Sequence, residues 1–129
     1  MTTQSTNSDL YFSTARALRA KFDAREISSV EATRGMIDRI SSLEPQLNSF
    51  ITVTPERALK DAEIADKRLR GTGQEPTPLT GVPVMVKDNF STKDVETTAA
   101  SKILKGYIPP YDGTAVQLLK EAGAVILGK

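Results

Sequence analysis

The chain has 129 residues, with 17 basic and 16 acidic side chains for a net charge of +1. That length suits one small domain with a modest core, and so even a balance offers no polybasic face for autonomous binding to nucleic acid or an anionic membrane. Cysteine and histidine are both absent, which excludes disulfides, thiolate chemistry and any serine–histidine triad built from these residues alone.

Residues 1–8 are polar and read as a disordered lead-in without the features of a secretory signal. No apolar run approaches the length of a membrane span, so a cytoplasmic location is expected. From Asp9 onward a helical period places Tyr11, Ala15, Leu18 and Phe22 on one face. Ser28 and Glu31 form a capping box, opening a helix through Val30, Met36, Ile37, Ile40 and Leu43 that meets Pro45. After a short apolar stretch at 48–53, Thr54, Pro55 and Glu56 give a second start signal: N-cap, proline at the first helical position, and an acid in the first turn. That helix carries Leu59, Ala62, Ala65 and Leu69 and ends with Arg68, Arg70 and Gly71, charges that complement the helix dipole.

A Gly-, Thr- and Pro-rich loop covers 71–78, and the composition then changes. Residues 82–86 read as a β-branched strand that delivers Lys87. Residues 91–97 are polar, and 101–111 are irregular around Pro109 and Pro110, with Tyr107 and Tyr111 expected to pack this segment onto a sheet. Asp112 is placed to cap a helix through Val116, Leu118, Leu119 and Ala122, closed by Gly123, and 124–127 read as a buried strand. Strand, irregular segment, helix, strand is an α/β pattern, and the N-terminal helices would cover one face of the sheet. Two or three strands leave unpaired edges, so the residues read as the opening of a larger protein.

Lys87 is the candidate site residue. It follows a nearly continuous apolar run, where a lysine either snorkels to solvent or, if desolvated, loses its proton and can act as a base. Asp88 and Asn89 beside it are turn-formers. Thr97, Thr98 and Ser101 form a hydroxyl cluster, and satisfying loop backbone is the simpler role for them. The tail from Gly123 to Gly128 and Lys129 fits the spacing of a phosphate-binding loop, but its four intervening residues are apolar strand-formers and a helix precedes it, so it reads as helix, glycine and buried strand.

Four blocks taken together are specific. They are Leu79, Gly81, Pro83, Lys87, Asp88 and Asn89; then Thr97, Thr98, Ala99 and Ser101; then Tyr107, Pro109 and Asp112; then Ala122, Gly123, Ala124, Gly128 and Lys129. In order and spacing they resemble the amidase signature family. Residues 27–31, 47–54 and 62–66 are similar to the A subunits of the glutamyl-tRNA(Gln)/aspartyl-tRNA(Asn) amidotransferases within it. The resemblance implies an α/β fold with a mixed central sheet covered by helices, residues 9–129 forming the N-terminal portion of a single amidase domain. It also implies a Ser–cisSer–Lys mechanism in which Lys87 is the catalytic lysine, Asp88 and Asn89 support its turn, and both serines lie beyond Lys129.

By the same resemblance, the whole enzyme would release ammonia from glutamine. A partner subunit would use it to amidate Glu-tRNA(Gln), Asp-tRNA(Asn) or both, with ATP. Glutamine and ATP would be substrates of the complex, with no cofactor or metal held by this chain. Its partners would be B- and C-type subunits, with mischarged tRNA reached through the complex and no membrane involved. These 129 residues alone are expected to be inactive and poorly folded. A small-amide hydrolase without tRNA and a non-catalytic binding module are the alternatives.

Overall fold

Helix starts in this chain are set by short-range hydrogen bonds, and the computed structural model, which describes residues 6–129, shows them directly. The first helical stretch is divided in two, α1 (Thr6–Tyr11) and α2 (Ala15–Asp23). Thr14 interrupts it: its backbone is extended and its Oγ1 accepts the Ala17 N–H at 3.1 Å, a new N-cap in place of a continuous turn. Leu18 and Phe22 are buried as expected and Leu10 joins them, with Tyr11 packing partly buried against this cluster, but Ala15 is exposed. The expected lead-in at 1–8 falls mostly outside the described residues, and α1 begins at Thr6.

Helix α3 (Ser29–Leu47) opens on the capping box: the Ser28 Oγ accepts the Glu31 N–H, and the Glu31 carboxylate accepts the Ser28 N–H at 2.8 Å. Those bonds hold the Glu31 carboxyl below its usual range. Pro45 does not end this helix. Its ring displaces one hydrogen bond to the carbonyl of Ser41, but both residues are exposed and water can serve that oxygen. The helix closes at Asn48, whose left-handed backbone (φ 50°) directs its N–H to the Glu44 carbonyl. Helix α4 (Pro55–Leu69) begins with proline as expected.

Strands β1 (Pro83–Met85) and β2 (Val125–Gly128) pair in parallel, with Pro83 opposite Val125 and Val84 opposite Ile126. Helix α5 (Thr114–Glu121) lies on the connection between them, after a short 3-10 turn at Lys102–Leu104. On its other side β2 meets residues 51–54 running antiparallel, through a bridge between Val53 and Gly128 and N–H bonds from Ile51 and Thr52 to the Lys129 carbonyl. The arrangement around β2 is therefore mixed, although among the described residues two strands form the sheet.

Alternation along β2 decides which helices cover which face. Val125 and Leu127 point at α3 and α4, where Ala58 and Ala62 are fully buried and small enough to bring α4 close. Ile126 points the other way, onto Val86 and Val116. Helices thus flank β2 on both faces, in an α/β arrangement of helices and a small parallel sheet.

Two further expectations are corrected. Asp112 does not cap α5; Gly113 occupies that position, and Asp112 instead accepts bonds from the Lys93 N–H and the Lys120 ammonium. Tyr107 and Tyr111 do not pack on the sheet but are exposed. Backbone anchors their segment: Thr97 N–H bonds to the Tyr107 carbonyl, Asp94 N–H to that of Pro109, and Pro109 is the buried side chain.

Candidate active site

Strand β1 runs out at Met85, and the next residues form the site. The Val86 N–H bonds to the Gly128 carbonyl at 3.1 Å, and the Phe90 N–H closes a turn on the Lys87 carbonyl at 3.1 Å. Asp88 and Asn89 are the two central residues of that turn. The Asp88 side chain is buried, and its Oδ2 accepts the Thr98 N–H at 2.9 Å and the Thr98 hydroxyl at 2.6 Å. Its backbone carbonyl accepts the Ala99 N–H at 2.8 Å. Asn89 is exposed.

This clasp holds Ala99 and Ala100 in consecutive left-handed conformations, with φ of 50° and 58°. Non-glycine residues adopt that region only when their surroundings compel it, and such positions gather at functional sites. Ala99 and Ala100 line a cavity of about 200 Å³ together with Ile51, Met85, Lys87 and Lys129. Lys87 thus stands at the mouth of a small, largely apolar cavity. Its side chain is exposed, and no hydrogen bond or ion pair holds its ammonium among the described residues. Of the two sequence readings of Lys87, the described residues show the solvent-exposed one.

The buried lysine is Lys129, at the end of β2, with only 2% of its surface exposed. Its Nζ donates to the Phe90 carbonyl at 2.7 Å and to Thr97 Oγ1 at 3.0 Å, and lies 3.5 Å from Asp88 Oδ1. Burial pushes its pKa below the usual lysine value, against the opposing pull of the Asp88 charge. The phosphate-loop spacing is thus a buried strand ending in a lysine already bound to protein acceptors.

Thr97 and Thr98 serve the loop, Thr97 through the Val95 carbonyl and Lys129, Thr98 through Asp88. Ser101 caps the 3-10 turn through the Ile103 N–H. A larger cleft of about 460 Å³ includes Phe22, Arg25, Glu31 and Asp66, but both its carboxylates already cap α3. No group of histidine, cysteine or acidic residues able to hold a metal occurs among the described residues. No helix among them is long and apolar enough to cross a membrane.

Sequence reasoning missed Lys129. The signal was present: like Lys87, Lys129 directly follows an apolar run, where a lysine is costly to bury.

Residues 31–129 match the family described as Amidase, and the chain belongs to that family. Its sequence is similar to the A subunits of the glutamyl-tRNA(Gln) amidotransferases of Geobacter sp. (strain M21) and Carboxydothermus hydrogenoformans, with 54% and 49% identity over 121 residues. These alignments cover 94% of this chain but 24% and 25% of the relatives, so the chain spans about a quarter of the length of the curated relatives it matches. Among solved structures, it is similar to the native peptide amidase from Stenotrophomonas maltophilia (35% identity, TM-score 0.83, 92% of this chain and 24% of that one). An amidase family protein from Bacillus anthracis is similar at 32% identity and TM-score 0.86, covering 98% of this chain and 25% of that one.

Proposed function

We propose that these residues are the N-terminal part of the glutaminase subunit of a tRNA-dependent amidotransferase, with Lys87 as its general base. The observation that carries this reading is identity of 49–54% with A subunits across 94% of the chain. Identity with the peptide amidase and the Bacillus anthracis protein is 32–35%. The geometry supports it in one respect: Lys87 is uncommitted and faces a cavity with a strained floor.

In the whole enzyme a serine supplied by later residues attacks the glutamine carboxamide carbon, and a bridging serine passes its proton toward neutral Lys87. The C–N bond breaks, ammonia leaves with a returned proton, and water then releases glutamate from the acyl-enzyme. B- and C-type subunits would take the ammonia onward, to Glu-tRNA(Gln), Asp-tRNA(Asn) or both, at the expense of ATP.

The test is glutamine hydrolysis by the full-length protein with Lys87→Ala. Residues of such a triad act as a unit, so a loss on the order of a thousandfold is expected. Near-normal hydrolysis would sink the assignment. Co-purification of two partner subunits separates this enzyme from a stand-alone small-amide hydrolase, which would purify alone.

A further inference from the structure

We propose that Lys129 is a positioning residue for the reaction: its buried ammonium sets the placement of the turn that carries Lys87. The inference rests on the reading of Lys87 as the base.

The cost of burying Lys129 and the location of its partners point the same way. Taking an ammonium out of water costs several kcal/mol, and only good acceptors offset that cost. A hydrophobic side chain at the end of β2 would avoid it, so the core itself has no need of a charge there. The two acceptors of Lys129 and its ion-pair partner all lie within residues 88–97, after Lys87: the Phe90 carbonyl and Thr97 Oγ1 accept its hydrogen bonds, and Asp88 Oδ1 faces its charge. Asp88 Oδ1 is buried and accepts no hydrogen bond, so the Lys129 charge 3.5 Å away is what compensates it.

The consequences run straight to the cavity. Lys129 holds the Oδ1 side of Asp88, while the Oδ2 side holds Thr98. Through the Asp88 carbonyl the same turn fixes Ala99, and with it the left-handed pair that floors the cavity beside Lys87. On the other side of Lys87, the Val86 N–H is bonded to Gly128, the neighbour of Lys129. The backbone of Lys87 is thus gripped from both sides by the last two residues of β2's path. A base misplaced by about 1 Å loses roughly a hundredfold in rate, so this grip bears on catalysis and not on glutamine binding.

The experiment uses the full-length enzyme with its partner subunits and follows steady-state glutamine hydrolysis. Lys129→Met keeps most of the side chain's bulk and removes the charge. Its kcat is expected to fall about ten- to a hundredfold while KM for glutamine stays within about twofold. Combining it with Asp88→Asn is expected to cost less than the product of the two single losses, since the two share the Lys129–Asp88 contact; losses that multiply fully overturn the coupling. A wild-type kcat in Lys129→Met, or an equal loss expressed through KM, overturns the positioning role when Lys87→Ala is inactive. Activity in Lys87→Ala instead overturns the underlying reading. If Lys129→Met does not fold, Thr97→Val removes one acceptor with little change of shape. A drop in its kcat of about three- to tenfold at constant KM then supports the proposal, and an unchanged kcat overturns it.

Discussion

Asp66, on α4, caps a helix to which it does not belong. Its Oδ1 accepts the Ser29 N–H at 2.8 Å and its Oδ2 accepts the Val30 N–H at 3.2 Å, the first two backbone donors of α3. Asp66 is buried, as is Ser29, whose hydroxyl donates to the Gly81 carbonyl just ahead of β1. One carboxylate therefore ties α4 to α3, and α3 passes the constraint to the approach of the Lys87 strand.

Removing that carboxylate takes the acceptor from two helix N–H groups, one of them buried. Asp66→Ala in the full-length protein is expected to cost about 2–3 kcal/mol, the range for hydrogen bonds to a charged group. Amide hydrogen exchange at Ser29 and Val30 checks it: both should lose protection in the variant, while α5 amides keep theirs.

Gly128 has no room for a side chain. A Cβ there would collide with the Thr52 carbonyl oxygen and stand 3.0 Å from the Val53 Cα, both backbone atoms of the segment that β2 pairs with. Gly128→Ala is expected to destabilise the protein by about 3 kcal/mol, through forced separation of 51–54 from β2. Thermal melting of wild-type and variant measures this, and a Tm unchanged within error would show that the segment can move.

Asp112 gives an acid-dependent signature. Burial alone would raise its carboxyl, but hydrogen bonds from Lys120 and the Lys93 N–H outweigh it and hold the pKa below the usual value. A carboxyl depressed in the folded state contributes stability that is fully present above the unfolded pKa, about 4, and is lost as pH falls through the folded value. Asp112→Asn should therefore be less stable than wild type at pH 6, with the gap closing below about pH 4. Urea unfolding across that range reads the gap, and a difference independent of pH would exclude the ion pair as its source.

Lys87→Arg separates base chemistry from mere charge. Arginine keeps the cation but does not give up a proton near neutral pH. If Lys87 is the base, the variant should hydrolyse glutamine about as slowly as Lys87→Ala, on the order of a thousandfold below wild type. Substantial activity in Lys87→Arg would mean that the site needs only a positive charge.

Short-range signals in the amino-acid sequence determined a good part of this protein. The capping box at Ser28 and Glu31, the proline start at Pro55, the glycine stop after α5 and the apolar run of β2 each depend on neighbours a few residues away, and each is found where the sequence puts it. The four motif blocks likewise carried the family. Tertiary structure alone decided which charged groups are buried. Lys87 and Lys129 both follow apolar runs, yet only Lys129 is enclosed, because its partners come from residues 32 and 39 positions away and no periodicity encodes them. Asp66 and Asp112 were drawn from ordinary helical and capping roles into long-range pairs for the same reason, and Pro45 stayed inside α3 because water could serve the bond it displaced. Local patterns report hydrogen bonds along the chain, whereas the cost of burying a charge is settled only by what the fold packs against it.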